Sequence, residues 1–208
     1  KTSLGRFITS GILVPYRSKP RVLLRIYLTL NRLCYNTSMK LKFVSQIHKQ
    51  DVYVACSGGA DSLALLHFAR QKGLNPILWH FNHADDNAAS EEYFCVNHAK
   101  DFSFSVMIDR YTGPAKPLRK SPKEFYRDIR YEAMQKLNKT VLIGHTLDDV
   151  VEGYLFSFLR YGEGYMIPYQ RDNAIRPLLL NTKEDCTEFL QKKNIRWYED
   201  PTNTDVRY

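Results

Sequence analysis

A short glycine loop separates two apolar stretches early in the chain, and it restricts what both stretches can become. The loop, Cys-Ser-Gly-Gly-Ala-Asp-Ser at 56–62, follows residues 52–55 and precedes residues 63–66. The run before the loop predicts a strand, and the run after it predicts a helix. Glycines let the backbone turn sharply, and the first N–H groups of a helix point at whatever anion lies there. The pattern therefore predicts a phosphate-binding loop at the end of a strand.

Three other loop motifs do not fit these letters. No Gly-Lys-Ser/Thr closes a Walker A loop, and the G-x-G-x-x-G spacing is absent. A nucleophile elbow needs glycine two residues before its serine, and Ala55 stands there. Asp61 would repel phosphates unless a metal ion lay between them, so we predict that it binds Mg²⁺. The predicted ATP-binding residues of the loop are Ser57, Gly58, Gly59, Ala60, Asp61 and Ser62.

Strand-like and helix-like segments alternate after the first fifty residues. This order predicts an α/β protein, with a Rossmann-like parallel sheet and helices on both faces. Ligands in such folds bind at the carboxyl ends of the strands, where the glycine loop falls. The predicted strands are 52–55, 77–81, 102–108 and 141–143, and the predicted helices are 62–71, 90–99, 122–137 and 147–159.

The net charge of +8 comes entirely from the start of the chain. Residues 1–50 hold ten Lys or Arg and no acid, whereas the rest hold twenty bases and twenty-two acids. Arg21, Arg25 and Arg32 would share one side of a helix opposite leucines, which predicts a basic amphipathic helix. A transit peptide, a basic RNA arm and sequence upstream of a start at Met39 remain open. We predict a leader or targeting extension over residues 1–44 and a catalytic domain over residues 45–208.

Cysteine usage and hydropathy restrict the compartment. Four cysteines, Cys34, Cys56, Cys95 and Cys186, lie far apart without C-x-x-C spacing. This argues for a reducing compartment and against a disulfide framework or a zinc ribbon. No apolar run is long enough to span a bilayer, so no membrane partner is predicted. We expect a cytoplasmic protein, or a plastid or mitochondrial one if residues 1–38 are a transit peptide.

A second polar cluster, Gly-His-Thr-Leu-Asp-Asp-Val-Val-Glu at 144–152, lies where another predicted strand runs into a helix. Asp149 and Glu152 are three residues apart and share a helix face. Acids in a first turn also stabilise a helix through its dipole, which is the plain structural alternative. Because the cluster falls at the same sheet edge as the glycine loop, we predict metal-binding carboxylates. His145 would contact phosphate or move a proton beside them.

Two further segments are candidates for ligand contact. His80 and His83 end a predicted strand, but no further His or Cys lies at zinc spacing, so we predict that His83 belongs to the nucleotide site. Residues 110–130 are rich in bases with interleaved tyrosines and could follow a phosphate backbone, although a solvated helix face is the alternative for the lysines. The predicted RNA-binding residues are Lys116, Arg119, Lys120, Lys123 and Arg130.

Six motifs follow one another along about residues 45–208. They are Ser-Gly-Gly-x-Asp-Ser at 57–62, His-Phe-Asn-His at 80–83, Glu-x-x-Arg-x-x-Arg-Tyr at 124–131, Gly-His-x-x-Asp-Asp-x-x-Glu at 144–152, Arg-Pro-Leu-Leu at 176–179 and Glu-Asp-Pro-Thr-Asn at 199–203. In this order they resemble the tRNA(Ile)-lysidine synthetase family of the PP-loop ATP pyrophosphatase superfamily.

The resemblance implies an ATP-dependent, Mg²⁺-requiring ligase that modifies a tRNA(Ile) with a CAU anticodon. The C2 oxygen of the wobble cytidine would be adenylated, and the amine of free L-lysine would then displace AMP. A homodimer is a further possible partner. Arg127 and His145 would contact the phosphates or the developing charge, and Glu152 would assist metal or lysine binding. The implied catalytic residues are Asp61, Arg127, His145, Asp149 and Glu152, and the implied metal ligands are Asp61 and Asp149.

Three other functions stay open beside this one. They are tRNA thiolation, a small-molecule amide ligase and a nucleotide-binding module without catalysis. Thiolating relatives generally rely on paired reactive cysteines, which this chain lacks. The inactive module is suggested by Ala-Asp-Asp at 84–86, where the family usually has Gly-Leu-Arg.

Overall fold

The computed structural model describes residues 7–9, 12–14, 43, 47, 51–85, 87–114, 117 and 119–199. The chain divides into two units, residues 1–40 and 41–208. In the first unit, β1 (Phe7–Thr9) pairs antiparallel with β2 (Ile12–Val14). The predicted amphipathic helix near residues 21–32, Lys116, Asp86 and residues 200–203 lie outside the described residues.

Six strands form the sheet of the second unit: β3 (Asp51–Ala55), β4 (Asn75–Asn82), β5 (Ser105–Arg110), β6 (Val141–Ile143), β7 (Gln170–Arg171) and β8 (Ala174–Ile175). Their order across the sheet is β5-β4-β3-β6-β8-β7. All neighbours pair in parallel except β7, which pairs antiparallel with β8 at one edge. The central strands are short apolar runs, as expected for strands covered on both faces.

Five helices cover this sheet: α1 (Ala60–Gln71), α2 (Ala88–Asp101), α3 (Pro122–Lys136), α4 (Leu147–Tyr161) and α5 (Lys183–Gln191). Leu142 in β6 enters a core with residues of α1, α2 and α5, whereas its neighbours Val141 and Ile143 enter a second core with residues of α3. Alternate strand residues point to opposite faces, so helices cover both sides. The predicted Rossmann-like α/β fold is confirmed. In the part of the chain that is described, none of the helices has the length and apolar content to cross a bilayer.

The chain reverses direction across the sheet between β3 and β6. From β3 it passes through α1 to β4 on one side, and β6 later pairs with the other side of β3. Ligands of open parallel sheets bind at such a point, outside the carboxyl ends of the strands. Residues 56–59 after β3 and residues 144–146 after β6 both lie there. We call this cleft the crevice.

Two parts of the fold differ from the sequence prediction. The strand expected over residues 102–108 begins only at Ser105, because Phe102 and Ser103 close α2 in a turn, with Ser103 at φ +52°. Apolar side chains that pack beneath the end of a helix give the same sequence pattern as the start of a strand. The hairpin of β7 and β8 has two residues in each strand. Strands this short carry no readable period, so the sequence predicts no strand in this segment.

Gly144 sets how closely the loop after β6 approaches α1. A Cβ at this position would lie 3.0 Å from the carbonyl carbon and oxygen of Asp61 and 3.1 Å from the nitrogen of Ser62. These are backbone atoms of a helix, so they cannot move aside as a side chain can. Glycine is therefore required for this contact.

Substitution of Gly144 by alanine (G144A) is expected to destabilise the fold by roughly 1–3 kcal/mol, because the added methyl overpacks against backbone. Gly153 in α4 provides the control, since a Cβ there meets only Ile167 atoms at 3.8 Å. G153A should leave stability unchanged or raise it by up to about 1 kcal/mol, the helix preference for alanine. Chemical denaturation followed by circular dichroism measures both variants. Equal effects would contradict the role given to Gly144.

Candidate active site

The loop after β3 has the geometry of an anion cradle. Gly58 adopts φ +87°, and a Cβ there would lie 3.0 Å from Phe94 Cδ1 and 3.1 Å from Tyr198 Cβ, so both conformation and space favour glycine. Gly59 precedes α1 without a side-chain cap. The first N–H groups of α1 are therefore left for a ligand, and the helix dipole makes that ligand an anion.

Hydrogen bonds fix the loop to the structure behind it. The Tyr198 N–H donates to the Gly58 carbonyl at 2.9 Å. The Ser62 hydroxyl donates to the Gly59 carbonyl at 2.9 Å, so it is engaged within its own turn. Ser57 is exposed. Of the two serines predicted to bind phosphate, Ser57 is the one that the structure leaves accessible.

Two neighbouring acids at the start of α4 have separate roles. Asp149 Oδ2 accepts hydrogen bonds from Thr146 N at 2.7 Å and Thr146 Oγ1 at 2.9 Å. Asp148 Oδ2 accepts one from the Lys183 N–H at 2.9 Å and caps the first turn of α5. Asp149 is thus a helix-capping residue through one oxygen, and its other oxygen lies 3.3 Å from Lys183 Nζ. The structural and the ligand-binding interpretations of Asp149 are compatible.

The carboxyl groups of Asp61 and Asp149 are close enough to perturb each other. Burial, and then the charge of Asp149, raise the pKa of Asp61 to about 6. Burial also opposes the ionisation of Asp149, but hydrogen bonds from Thr146 and the charge of Lys183 outweigh it and lower the pKa of Asp149. Asp149 is therefore ionised at neutral pH, whereas Asp61 gains its proton readily. Neighbouring carboxyls with divergent pKa values are typical of catalytic sites.

Lys183 is a residue of the crevice that the sequence did not predict. Burial opposes its charge, but the carboxylates of Asp149, Asp61 and Glu152 more than offset this and raise the pKa of Lys183. Lys183 therefore neutralises the acids in the absence of other cations. The capping box of Thr182 and Asp185 indicates that α5 begins at Lys183, but it carries no sign that this residue reaches the crevice.

His145 is held in one protonation state by Arg176. Arg176 Nε donates to His145 Nδ1 at 2.9 Å, so the proton of the neutral ring lies on Nε2. Burial, and then the charge of Arg176, lower the pKa of His145 to about 4. The ring is thus neutral at pH 7, and it can donate a hydrogen bond from Nε2.

Arg176 positions His145 from behind the site. It is 2% exposed. Its Nη1 donates to the Pro168 carbonyl at 2.8 Å, and its Nη2 donates to the Tyr131 hydroxyl at 2.6 Å. The Arg-Pro-Leu-Leu motif therefore supports the site from behind, joining β8, α3 and the loop after β6.

Two arginines of α3 have opposite environments. The Arg127 side chain is 59% exposed, and its Nε lies 3.9 Å from Asp128. Arg130 Nε is buried without a hydrogen-bond partner, and burial lowers the pKa of Arg130. After burial, Arg130 is the next cause of the lowered pKa of His83, about 4, and it contributes to that of His145. The structure thus brings Arg130, predicted as an RNA contact, to the crevice, and leaves Arg127 in solvent.

Buried nitrogens without partners also lie at the end of β4. His80 Nδ1 is 2.8 Å from the Cys56 carbonyl and donates to it, which makes Nε2 an acceptor. His80 Nε2 and His83 Nδ1 have no hydrogen-bond partner. Buried polar atoms of this kind require a ligand or an ordered water. His80 thereby joins the end of β4 to the start of the glycine loop, and the assignment of His83 to the nucleotide site stays a prediction.

The predicted RNA-binding segment is partly neutralised. Lys120 Nζ lies 2.5 Å from Asp128 Oδ2. Arg119 is exposed. Lys116 and the side chain of Lys123 lie outside the described residues. Among the described residues of this loop, Arg119 is an exposed base.

The donor set fits a metal ion that arrives with a nucleotide. Across the ranges described, no group of three or more His, Cys, Asp or Glu side chains is arranged to hold a metal ion by itself. Asp61 and Asp149 supply two carboxylates. Mg²⁺ in nucleotide enzymes typically binds one or two carboxylates together with substrate phosphates.

Comparison with known proteins identifies the family of this chain. Residues 34–208 match the PP-loop domain, an ATP-binding family. A tRNA(Ile)-lysidine synthase of Bdellovibrio bacteriovorus is 33% identical over 180 residues, which cover 79% of this chain and 55% of the relative. One of Coxiella burnetii is 30% identical over 193 residues, 84% of this chain and 42% of the relative. The chain thus spans about half the length of these curated relatives.

Among solved structures, an NH3-dependent NAD synthetase from Campylobacter jejuni superposes with a TM-score of 0.44 at 16% identity, covering 88% of this chain and 80% of that chain. This likeness is too distant to bear on function. The family match, in contrast, spans the whole sheet and both loops of the crevice. The resemblance to the tRNA(Ile)-lysidine synthetases is thereby confirmed, and the chain belongs to the PP-loop family.

Proposed function

We propose that this chain uses ATP to adenylate the wobble cytidine of a tRNA(Ile) with a CAU anticodon and then ligates free L-lysine to it, forming lysidine. The observation that supports this most is the close contact of Gly144 with the backbone of Asp61. A Cβ at residue 144 would lie only 3.0 Å from the Asp61 carbonyl. This contact places an uncapped helix N-terminus and two carboxyls in one crevice. The proposed substrate rests on the names of the relatives, which are tRNA(Ile)-lysidine synthases.

Each part of the crevice has a task toward ATP. The glycine loop and the first turn of α1 bind phosphates. Asp61 and Asp149 would hold Mg²⁺, which when bound neutralises phosphate charge and polarises the phosphorus to be attacked. His145 donates a hydrogen bond from Nε2 to a phosphate oxygen. The guanidinium of Arg130, whose Nε is buried without a hydrogen-bond partner, stabilises charge that develops in the transition state.

The proposed chemistry has two steps. The O2 atom of cytidine attacks the α-phosphorus of ATP, and the bond to the bridging oxygen breaks so that pyrophosphate leaves with the electron pair. The lysine amine then attacks C2, the C2–O bond breaks, and AMP leaves. The amine loses a proton in this step. Glu152, exposed at the edge of the crevice, is the candidate to bind the lysine ammonium or to accept that proton.

The environment of the cysteines disfavours thiolation. Cys56, Cys95 and Cys186 are all buried. A hydrogen bond with Cys56, and then burial, raise the pKa of Cys95, and burial raises the pKa of Cys186. A thiol that attacks a sulfur donor must be accessible and readily deprotonated. The described cysteines of this chain do not meet that requirement as a pair.

A direct assay tests the proposal. The full chain with ATP, Mg²⁺ and an unmodified CAU tRNA(Ile) is expected to release pyrophosphate, and with lysine the wobble nucleoside should gain the mass of one lysyl unit. D149N should lower turnover by about 10²-fold or more, because it removes the ionised ligand but keeps an acceptor for Thr146. D101N, on the exposed end of α2, is the control that should retain activity. Release of pyrophosphate without a lysine adduct would show that lysine is not the nucleophile. Binding of ATP without release of pyrophosphate would indicate a nucleotide-binding module without catalysis.

Arg127 and Arg130 form a matched pair, since each lies on α3 and each loses one charge on change to glutamine. R130Q is expected to reduce pyrophosphate release by about 10²-fold, the effect of removing one transition-state contact. R127Q, whose side chain is exposed, should reduce it by less than about tenfold, as expected of a solvated charge. Steady-state kinetics with saturating ATP measures both. The opposite order would show that Arg127, not Arg130, contacts the reacting phosphate.

The raised pKa of Asp61 predicts a pH-dependent stability. Because the fold favours the protonated carboxyl, the stability that Asp61 contributes is fully present below its ordinary pKa of 3.8 and is lost as the pH rises through about 6. D61N cannot ionise, so its stability relative to the native protein should increase between pH 4 and pH 7. Urea denaturation across this range measures the difference. A constant difference for D61N would contradict the raised pKa.

A further inference from the structure

Cys56 and Cys95 are two buried thiols that the proposed chemistry does not use. Cys56 is the first residue of the glycine loop, and Cys95 lies in the middle of α2. Cys95 Sγ donates a hydrogen bond to the Cys56 carbonyl at 3.8 Å. The two cysteines are 39 residues apart in the sequence, so it is the packing of α2 against the loop that brings them together.

The start of the glycine loop is fixed on two sides. The Cys56 carbonyl also accepts a hydrogen bond from His80 Nδ1 of β4 at 2.8 Å. On the side of α2, a Cβ at Gly58 would lie 3.0 Å from Phe94 Cδ1, so the loop and the helix are in close contact. Cys95 follows Phe94 directly on this helix. The loop therefore has little room to move where the two cysteines meet.

The two sulfurs differ in acidity. A hydrogen bond from Cys95 lowers the pKa of Cys56, and hydrogen bonds from Ser62 and the Gly58 N–H add to this effect, so that together they outweigh burial. Ser62 Oγ lies 3.5 Å from Cys56 Sγ. The hydrogen bond with Cys56, and then burial, raise the pKa of Cys95. Cys56 is thus the sulfur that more readily forms the thiolate, which is the form that oxidants attack.

We propose that Cys56 and Cys95 are a redox modification site, at which hydrogen peroxide forms a reversible disulfide that disables the glycine loop. The Cys56 sulfur attacks one peroxide oxygen, the O–O bond breaks, and hydroxide leaves with the electron pair, so that Cys56 becomes a sulfenic acid. The Cys95 sulfur then attacks the Cys56 sulfur, the S–O bond breaks, and a second hydroxide leaves. Each hydroxide takes one thiol proton, so two thiols and one peroxide give one disulfide and two waters.

A peroxide suits this pair better than the larger sulfur donor of a thiolation reaction. Cys56 is 5% exposed and Cys95 is fully buried, and Ser57 beside Cys56 is exposed. A peroxide is close to water in size, and it has to reach only Cys56. In a reducing compartment, which the cysteine spacing predicts, disulfides are rare and those that form are transient. The reduced pair is therefore the resting state, and thiols of the compartment reverse the disulfide.

The disulfide acts on the phosphate cradle by moving its first residue. It sets the two sulfurs about 2.05 Å apart, closer than any hydrogen-bonded contact between thiols. Cys56 must then shift toward α2, whereas Gly58 cannot follow because Phe94 already fills the space. The N–H groups of the loop are displaced as a result, and a misplacement of about 1 Å in a catalytic site can cost about 100-fold in rate. This effect on ATP rests on the proposed function, whereas formation of the disulfide does not.

Peptide mapping tests the disulfide. The reduced full chain is treated with hydrogen peroxide, alkylated under denaturing conditions and cut with trypsin without reduction. A cross-linked peptide is expected that joins residues 50–70 to residues 73–100, which contain Cys56 and Cys95 as their only cysteines. Dithiothreitol should separate the two, and Cys186, in residues 184–192, should be recovered alkylated. Recovery of Cys56 and Cys95 without the cross-link, or a cross-link to another cysteine, would overturn the proposal.

Calorimetric titration with ATP and Mg²⁺ tests the effect on the loop. The oxidised native protein is expected to bind ATP at least tenfold more weakly than the reduced protein, and dithiothreitol should restore the affinity. C95S should bind ATP like the reduced native protein and keep its affinity after peroxide, because it cannot form the disulfide. C186S, which replaces a buried cysteine of α5, is the matched control and should stay sensitive to peroxide. Equal affinity of the oxidised and reduced native protein, or loss of affinity in peroxide-treated C95S, would overturn the effect.

Bound ATP should in turn oppose the disulfide, because coupling between two binding or modification events is reciprocal. Saturating ATP is therefore expected to slow the appearance of the cross-linked peptide severalfold in the native protein. An unchanged rate would contradict the coupling. If the reduced protein binds no ATP, the proposed function and the effect on ATP are both overturned, whereas the cross-linked peptide still decides whether the disulfide forms.

Discussion

The contact between the loop after β6 and the first turn of α1 is the constraint on which the crevice depends. A glycine at 144 allows it, because any Cβ would lie 3.0 Å from the Asp61 carbonyl. Through this contact the helix that carries Asp61 and the helix that carries Asp149 begin at one place. Asp149 cannot compensate for a wider separation, since its own hydrogen bonds to Thr146 fix it to the start of α4. The spacing of two backbone segments thus sets the distance between the two carboxyls.

The charges of the crevice are arranged for a partner that is itself charged. On one side, Lys183 lies 3.3 Å from Asp149 and offsets the charge of the acids. On the other side, Arg130 Nε is buried without a hydrogen-bond partner, and the histidines beside it are held neutral. A buried guanidinium nitrogen without a partner is costly to a fold unless a ligand pairs with it. A nucleotide with a divalent cation satisfies both sides at once, because its phosphates suit the arginine and its cation suits the acids.

What the sequence could predict was local, and what it missed depends on distant segments. The glycine loop and the acids of α4 each lie within one strand-loop-helix unit, so their letters suffice to place them. Lys183 comes from a helix far along the chain, and only the packing of α5 beside α1 brings it to Asp149. Arg127 and Arg130 are three residues apart on one helix, and no pattern in α3 alone shows which one the sheet will bury. Arg176 belongs to the Arg-Pro-Leu-Leu motif of the sequence, but its hydrogen bond to His145 is visible only in three dimensions.

The helix α4 serves the chemistry of the crevice, and its orientation explains how. Val150 and Ser157 point into the protein and fix the orientation of α4, Asp149 and Glu152 lie on the flank next to the crevice, and Leu155 and Leu159 face away. The inward residues and the acids would be satisfied equally well by a polar outer face. The exposed residues Leu155 and Leu159 therefore contribute to neither the core nor the crevice. Because hydrogen bonds to Thr146 fix Asp149 to the first turn of this helix, the packing of Val150 and Ser157 also sets the position of that carboxylate in the crevice.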